Sequence, residues 1–133
     1  QVRVASLALG NRGAVVQGAA PDLPPTDVLL DLATMLDMSH YLQDWALEKT
    51  LQRIHTRLMP GGRLIMRSVL PRTATPHWTW YLENFKIRLK GIRVCYRDAD
   101  AIEAILDRCG FDVLASRGSG SRSDMWWHAA VPK

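Results

Sequence analysis

The chain has 133 residues, of which 47% are hydrophobic, and a formal net charge of +4. This length allows one hydrophobic core and excludes two ordinary domains, so we expect a single domain over residues 1–133. No apolar run approaches the ~20 residues that span a bilayer, and the first residues lack a basic-then-apolar leader. These features predict a soluble, cytoplasmic protein without a transmembrane segment.

Cysteines and charges give little sign of a metal or nucleic-acid site. Cys95 and Cys109 show no metal-ligand spacing with each other or with a histidine, so we expect reduced thiols and no metal. The densest group of positive charges is Lys86, Arg88, Lys90, Arg93 and Arg97. A solvated helix face explains this cluster best, and an anionic substrate or a membrane surface is the alternative. Nucleic-acid binding is a weaker hypothesis, and we expect no nucleic-acid partner.

The N-terminal third predicts a helix and a short strand. Residues 2–9 are too densely apolar for their period to decide, but Gly10 and Asn11 supply a stop signal that favours a helix docked on a sheet. Residues 14–17 form a β-branched run between glycines and predict a strand. Residues 28–38 suit either a helix or a buried parallel strand. We place a strand at about residues 34–38, and the alternative changes the roles of Asp27 and Asp31.

The middle of the chain predicts a helix followed by a buried strand. Four apolar residues recur at helical steps of four, three and four: Leu47, Leu51, Ile54 and Leu58. Pro60 cannot continue this helix, and Gly61 and Gly62 permit the positive φ that turns the chain into the next strand. A strand, a helix and a strand in this order predict a parallel βαβ unit.

The last third predicts one helix and an antiparallel pair of strands. Asp98 or Asp100 caps the helix, and Gly110 ends it. Its buried face is predicted to contain Ala99, Ile102, Leu106 and Cys109. Residues 111–116 and 125–131 read as strands, and the Gly/Ser-rich connection between them is too short for a crossover helix. The two strands should therefore be antiparallel.

Two of these segments resemble a known family. The sequence LDMSHYL at residues 36–42, the helix after it and LMPGGRLI at residues 58–65 resemble the fourth strand, the next helix and the fifth strand of class I S-adenosylmethionine-dependent methyltransferases. Residues 96–98 and 110–113 resemble the last helix of that family and its entry into the sixth strand. The order and spacing of these motifs make the resemblance specific, and it covers most of the chain.

The resemblance implies an α/β fold with a partial Rossmann-like methyltransferase sheet. Such a sheet is mostly parallel, has a C-terminal antiparallel hairpin, carries helices on both faces and has the strand order 3-2-1-4-5-7-6. The family's glycine-rich turn and the acidic residue that ends its second strand are absent here, so the chain resembles the C-terminal portion of the family. Without the first two strands, the fourth strand has an open edge. We therefore expect a homo-oligomer, a pairing with the missing N-terminal half, or a third strand that pairs directly with the fourth.

The resemblance also implies where S-adenosylmethionine binds. The loop after the third strand, predicted at residues 14–17, lies beside the adenine in the family, which makes Gly18, Ala19 and Asp22 candidates for cofactor binding. Leu36 and Asp37, at the end of the fourth strand, complete the set. Asp22 is alternatively a turn former in a Pro-rich loop. We expect cofactor binding by this chain alone to be weak or absent.

Chemistry is expected just after the fourth strand, because ligands bind at the carboxyl ends of parallel strands. His40 and Tyr41 are the catalytic candidates, since a histidine with a pKa near ~6.5 can take up a proton at neutral pH. Alternatively, both side chains only shape the pocket and cap the next helix. His77, Trp80 and Tyr81 are the candidates for binding substrate, although their helical pattern also fits core packing.

The sequence thus predicts a methyltransferase that acts on a small, hydrophobic acceptor. As an isolated piece it is expected to be inactive. The alternative is a degenerate, non-catalytic module of the same fold that serves as a binding or scaffolding domain. The acceptor atom is left open, because substrate choice depends on loops carried by a shared fold.

Overall fold

The computed structural model describes residues 2–71, 94–119 and 125–133. The helices are α1 (Val2–Leu9), α2 (Asp44–His55) and α3 (Ala99–Arg108), with 3-10 turns at Gly10–Arg12 and Ser39–Tyr41. The strands are β1 (Leu30–Leu36), β2 (Leu58–Val69), β3 (Phe111–Gly118) and β4 (Met125–Pro132).

The four strands form one sheet in the order β1-β2-β4-β3. β1 runs parallel to β2, whereas β4 is antiparallel to both β2 and β3. The predicted parallel βαβ unit and the C-terminal antiparallel pair are therefore confirmed, and the described part of the sheet is mixed. Its order matches the 4-5-7-6 portion of the order that the resemblance implies.

The core lies between the sheet and two helices. The buried cluster draws on α2, β2 and α3, with Leu47, Leu51, Leu64, Met66, Ile102 and Leu106 among its members. Residues two apart on a strand point to the same face, so α2 and α3 cover the same side of β2. Each of these side chains is almost wholly buried, and each contributes about 2 kcal/mol of hydrophobic stabilisation.

The N-terminal segment departs from two expectations. The helix at Val2–Leu9 is confirmed, but Val4 is 70% and Leu7 77% exposed, so this helix is not docked on the sheet. The strand predicted at residues 14–17 is wrong, because these residues belong to no strand. A short β-branched run becomes a strand only when a neighbouring strand offers hydrogen bonds, and none does so here within the described residues.

The Pro-Gly-Gly segment lies inside a strand rather than at the end of a helix. Helix α2 ends at His55, and Leu58 already pairs with Leu30 in the sheet. The next pair is Leu32 with Arg63. Between these two pairs β2 contains more residues than β1, and the extra residues form a bulge. Gly61 has the predicted positive φ, here 80°, but uses it to form this bulge.

β1 begins and ends earlier than predicted. It spans Leu30–Leu36 rather than residues 34–38, because Asp37 leaves the extended conformation with a φ of 56°. Among the described residues, no strand pairs with the outer edge of β1. Direct pairing of the third strand with the fourth is therefore not seen there. Supply of strands by another chain stays a prediction.

The predicted cap and stop of α3 agree with the structure, whereas its buried face includes Ile105 in place of the predicted Ala99. Asp98 is the N-cap, and its side chain accepts a hydrogen bond from the Ala101 amide at 2.8 Å. Gly110 ends the helix with a φ of 86°. Both cysteines are free thiols, and burial raises the pKa of Cys109 to about 11, which keeps this thiol protonated and unreactive.

Two kinds of feature are absent from the described residues. No helix there has the length and apolar character needed to cross a membrane. No group of three or more His, Cys, Asp or Glu side chains there is arranged to hold a metal ion.

A buried histidine lies on the helix side of β4. His128 is 1% exposed, and its Nδ1 lies 3.9 Å from a carboxylate oxygen of Glu103 on α3. Burial lowers the pKa of His128, and the Glu103 charge only partly opposes this effect. The folded protein therefore takes up a proton here less readily than the unfolded chain does.

Replacing the two bulge glycines by alanine should destabilise the fold to different extents. A Cβ at Gly61 meets no atom within 4 Å, so Gly61→Ala should cost only the strain of the positive φ, about 1 kcal/mol. A Cβ at Gly62 would lie 2.9 Å from the carbonyl oxygens of Leu30 and Met59, so Gly62→Ala should cost more. Urea denaturation of both variants tests this order, and an equal or reversed order would contradict the bulge geometry.

The free energy of unfolding should fall as the pH drops from about 7 to about 5. In this range the unfolded chain binds protons at histidines whose pKa values are lowered in the folded state, namely His40 and His128. The stabilisation from the neutral histidines is thus fully present above the ordinary histidine pKa of ~6.5. It is lost as the pH falls towards the lower pKa values of these histidines in the folded protein. Denaturation at several pH values should show a shallower dependence for His128→Gln. An unchanged slope in this variant would contradict the account.

Candidate active site

Functional side chains gather where β1 ends. After Leu36 the chain turns through Asp37 and the short turn Ser39–Tyr41 before α2 begins at Asp44. Parallel strands end at the same edge of a sheet, so the end of β2, with Arg67 and Ser68, lies beside this turn. We name residues 37–43 the His40 loop.

A two-pronged ion pair fixes the start of the His40 loop. The Arg67 Nε donates to Asp37 Oδ1 at 2.8 Å, and Arg67 Nη2 donates to Asp37 Oδ2. The Asp37 amide also donates to the Arg67 carbonyl at 3.0 Å. The left-handed conformation of Asp37 costs about 1 kcal/mol, and these bonds offset that cost. Arg67 in turn lies over the ring of Trp127, 5.1 Å from its centroid.

His40 is buried and has an open nitrogen. His40 is 8% exposed, and its Nδ1 has no hydrogen-bond partner among the described residues. Burial lowers the pKa of His40, while the Asp37 carboxylate partly raises it again. The imidazole is therefore largely neutral at pH 7, as a proton acceptor must be.

Aromatic rings and a buried hydroxyl pair surround this imidazole. The Tyr41 ring is tilted against it at 4.1 Å between centroids, and the Tyr96 ring is stacked on it at 5.8 Å. The Ser39 hydroxyl donates to the Ser68 hydroxyl at 3.4 Å, which ties the loop to β2. Tyr41 is 49% exposed, so its ring forms a surface next to His40.

The predicted cofactor residues fall into two groups. Leu36 and Asp37 lie at the end of β1 beside His40, as expected. Within the described residues, no hydrogen bond or ion pair joins Gly18, Ala19 or Asp22 to them. The structure therefore brings together only part of the predicted set.

Packing and charge explain the residues of the second group. Asp22 bonds Lys49 at 3.2 Å and Arg53 at 3.1 Å on α2, and the Lys49 hydrogen bond is the main cause of its lowered pKa. A Cβ at Gly18 would lie 2.6 Å from the Pro24 ring, so close packing alone requires a glycine there.

Asp37 is the residue that best fits a hydroxyl-bearing cofactor. A carboxylate offers about four lone-pair sites, and Arg67 occupies two of them. The Asp37 side chain is also 33% exposed, so its remaining sites are accessible. Leu36, 44% exposed, adds apolar surface next to it. The described residues thus fit one side of a nucleoside, while the glycine-rich turn that cradles it in the family is absent from the sequence.

A cavity lies on the sheet face opposite the helices, and none of the described residues that line it belongs to the His40 loop. Its volume is about 350 Å³, and Ile65, Ala115, Arg117, Trp127, His128 and Ala129 line it. Trp127 both borders this cavity and stacks on Arg67, which holds Asp37. The cavity is therefore mostly apolar and lies next to the ion pair.

Three predicted residues fall outside the described part of the chain, and two important residues were missed. His77, Trp80 and Tyr81 lie outside the described residues, so their roles remain predictions. Arg97, interpreted above as part of a basic surface cluster, is 9% exposed and bonds the His40 loop. Arg67 was not singled out, because nothing in the sequence signals that it pairs with Asp37.

Comparison with known proteins places the fold. A family model described as a methyltransferase domain matches residues 10–116. No curated protein matches the sequence. Mitomycin 7-O-methyltransferase has a similar structure with a TM-score of 0.75 at 20% identity, over 99% of this chain and 39% of that one.

Two further structures show how widely this fold is used. A methyltransferase of calicheamicin biosynthesis, solved with SAH bound, has a TM-score of 0.68 at 17% identity, over 94% of this chain and 36% of that one. A pericyclic reaction enzyme reaches 0.74 at 12% identity, over 99% of this chain and 34% of that one. The chain thus spans less than two-fifths of the length of each of these neighbours. At these identities, the likeness to solved structures shows the fold alone. The family model, in contrast, covers most of the sequence. The chain therefore belongs to the methyltransferase-domain family and has the fold of its class I members.

Proposed function

We propose that this chain is the acceptor-side part of an S-adenosylmethionine-dependent methyltransferase that acts on a small, apolar acceptor. The observation that carries the proposal is the buried, largely neutral His40 at the carboxyl end of β1, whose Nδ1 has no hydrogen-bond partner among the described residues. Membership in the methyltransferase-domain family supports the reaction type.

In this proposal His40 acts as the general base. Its Nδ1 accepts the proton of the acceptor hydroxyl as that oxygen becomes the nucleophile. S-adenosylmethionine, when bound, supplies a methyl group on a strongly electrophilic sulfonium. Asp37, held by Arg67, fixes the start of the His40 loop. Its negative charge also favours the imidazolium that forms on His40. The exposed Tyr41 ring offers a flat surface on which a planar acceptor can stack.

The cavity next to the ion pair supports an apolar acceptor. Its volume of about 350 Å³ suits a small aromatic molecule, and its lining is mostly apolar. The predicted substrate residues His77, Trp80 and Tyr81 are proposed to add aromatic contacts. Closure of such a site excludes water, which would otherwise compete with the acceptor.

A non-catalytic module is the second candidate. Of the predicted cofactor residues, Gly18 is explained by its close packing against Pro24, and Asp22 by its ion pairs with Lys49 and Arg53, so neither needs a cofactor to account for it. A binding or scaffolding domain would keep the sheet and lose the cofactor site. In that case the open edge of β1 is proposed to join a second copy of the chain or another polypeptide.

Calorimetric titration with S-adenosylmethionine and S-adenosylhomocysteine should separate the two candidates. We expect weak or no binding by residues 1–133 alone and clear binding by the longest protein that the gene encodes. A heat-treated sample of the same protein serves as the control. Absence of binding by both proteins would contradict the methyltransferase proposal and favour the module.

Replacing His40 by asparagine in the longest protein that the gene encodes should lower kcat/KM by about 100-fold or more, because a general base is lost. The assay follows transfer of a tritium-labelled methyl group to naphthol. For the unchanged protein, kcat/KM should rise with pH through a midpoint below ~6.5, since burial lowers the pKa of His40. Tyr41→Phe keeps the ring and is the matched control, with activity close to that of the unchanged protein. A loss in Tyr41→Phe as large as in His40→Asn would contradict these roles.

A further inference from the structure

Arg97 is a buried arginine whose every donor is used. The backbone carbonyls of Ser39, Leu42 and Cys95 accept from its Nη atoms at 2.9, 2.7 and 3.2 Å. Asp44 Oδ1 accepts from Nε at 2.8 Å and from Nη2 at 2.6 Å. A guanidinium has five N–H groups, so these five bonds satisfy it completely. The Arg97 side chain is 7% exposed, whereas that of Asp44 is 73% exposed.

These bonds join two segments that are distant in sequence, residues 39–44 and residues 95–97. Ser39 and Leu42 belong to the His40 loop, Asp44 begins α2, and Cys95 and Arg97 precede α3. The Cys95 amide also donates directly to the His40 carbonyl at 2.7 Å. Bonds to carbonyls on both sides of His40 restrict the direction in which its imidazole can point.

We propose that Arg97 is a positioning residue that holds His40 and its open Nδ1 in the buried orientation at the end of β1. Its guanidinium acts on the backbone around His40, and it does not itself touch the acceptor. Its catalytic consequence rests on the function proposed above, but its effect on the His40 loop does not.

Burial and charge explain why an arginine is needed. A buried cation is tolerated only when it is paired and hydrogen-bonded, and Asp44 with the three carbonyls meets this need. Lysine has three donors and no planar fork, so it cannot reach the same acceptors together. An exposed ion pair between α2 and α3 would need no such set of carbonyls. Arg97 thus organises the loop rather than merely linking two helices.

The pKa of His40 depends on its surroundings and can therefore be used to test the proposal. Among the residues that the structure describes, the ionisable groups that contact or influence its ring are Asp37 from the end of β1, Tyr41 within the loop and Tyr96 before α3. Burial is the largest influence on its pKa, ahead of the Asp37 charge. If the loop opens, water reaches the ring, and the pKa of His40 should rise towards its ordinary value near ~6.5.

The experiment compares Arg97→Met, Arg97→Lys and a matched control in the full chain. Arg108→Met is the control, because Arg108 pairs with Glu48 across the same two helices and bonds no carbonyl of the His40 loop. NMR measures the pKa of His40 from its ring carbon and the hydrogen exchange of the Cys95 amide. Both measurements are made well below the unfolding temperature, so that global unfolding does not contribute to the pKa or to the exchange rate.

We expect Arg97→Met to raise the pKa of His40 and to speed exchange of the Cys95 amide by about tenfold or more, as loss of a charge-assisted bond implies. Arg97→Lys should shift both in the same direction by less, and it decides the test if Arg97→Met does not fold. Arg108→Met should change neither. Values for the Arg97 variants equal to those of the unchanged chain would overturn the proposal. The two NMR measurements do not depend on methyl transfer. If only the proposed function is wrong, methyl-transfer activity will be absent while the NMR changes in the Arg97 variants are still observed.

Discussion

The parallel pairing of β1 with β2 is the constraint on which the candidate site depends. Because both strands end at one edge, Asp37 and Arg67 meet there although 30 residues separate them. Their ion pair supports a left-handed residue, and that residue turns the chain so that His40 enters the interior. Loss of the pairing would separate the charges, release the turn and expose the imidazole together.

The His40 loop is held from two directions. Arg67 fixes its first residue from β2, and Arg97 fixes its later carbonyls from the segment before α3. Both cations are matched by carboxylates, Asp37 and Asp44. His40 Nδ1, which has no hydrogen-bond partner among the described residues, is therefore held in a fixed position. Such an arrangement costs stability and is typical of sites that bind or react.

Local patterns in the sequence predicted much of the fold. The periodicity of Leu47 and Leu51, the cap at Asp98 and the stop at Gly110 depend on neighbours in sequence, and all three are confirmed. Contacts over long distances were harder to predict. The strand at residues 14–17 failed because its stability needs a partner. Arg97 looked like a surface charge because its acceptors on Ser39, Leu42 and Asp44 lie 53 to 58 residues away. His40 does lie where the sequence placed it, just after β1, and its catalytic role stays a prediction, while Arg67 and Arg97, which hold its loop, were not found.

Crystallography of the longest encoded protein with S-adenosylhomocysteine tests the central claim most directly, namely that methyl transfer takes place at the carboxyl end of β1. The account predicts the ligand in contact with Leu36 and Asp37, with its sulfur facing the side on which His40 Nδ1 is open. A ligand bound at another edge of the sheet, or His40 Nδ1 bonded to a protein group in that complex, would contradict it.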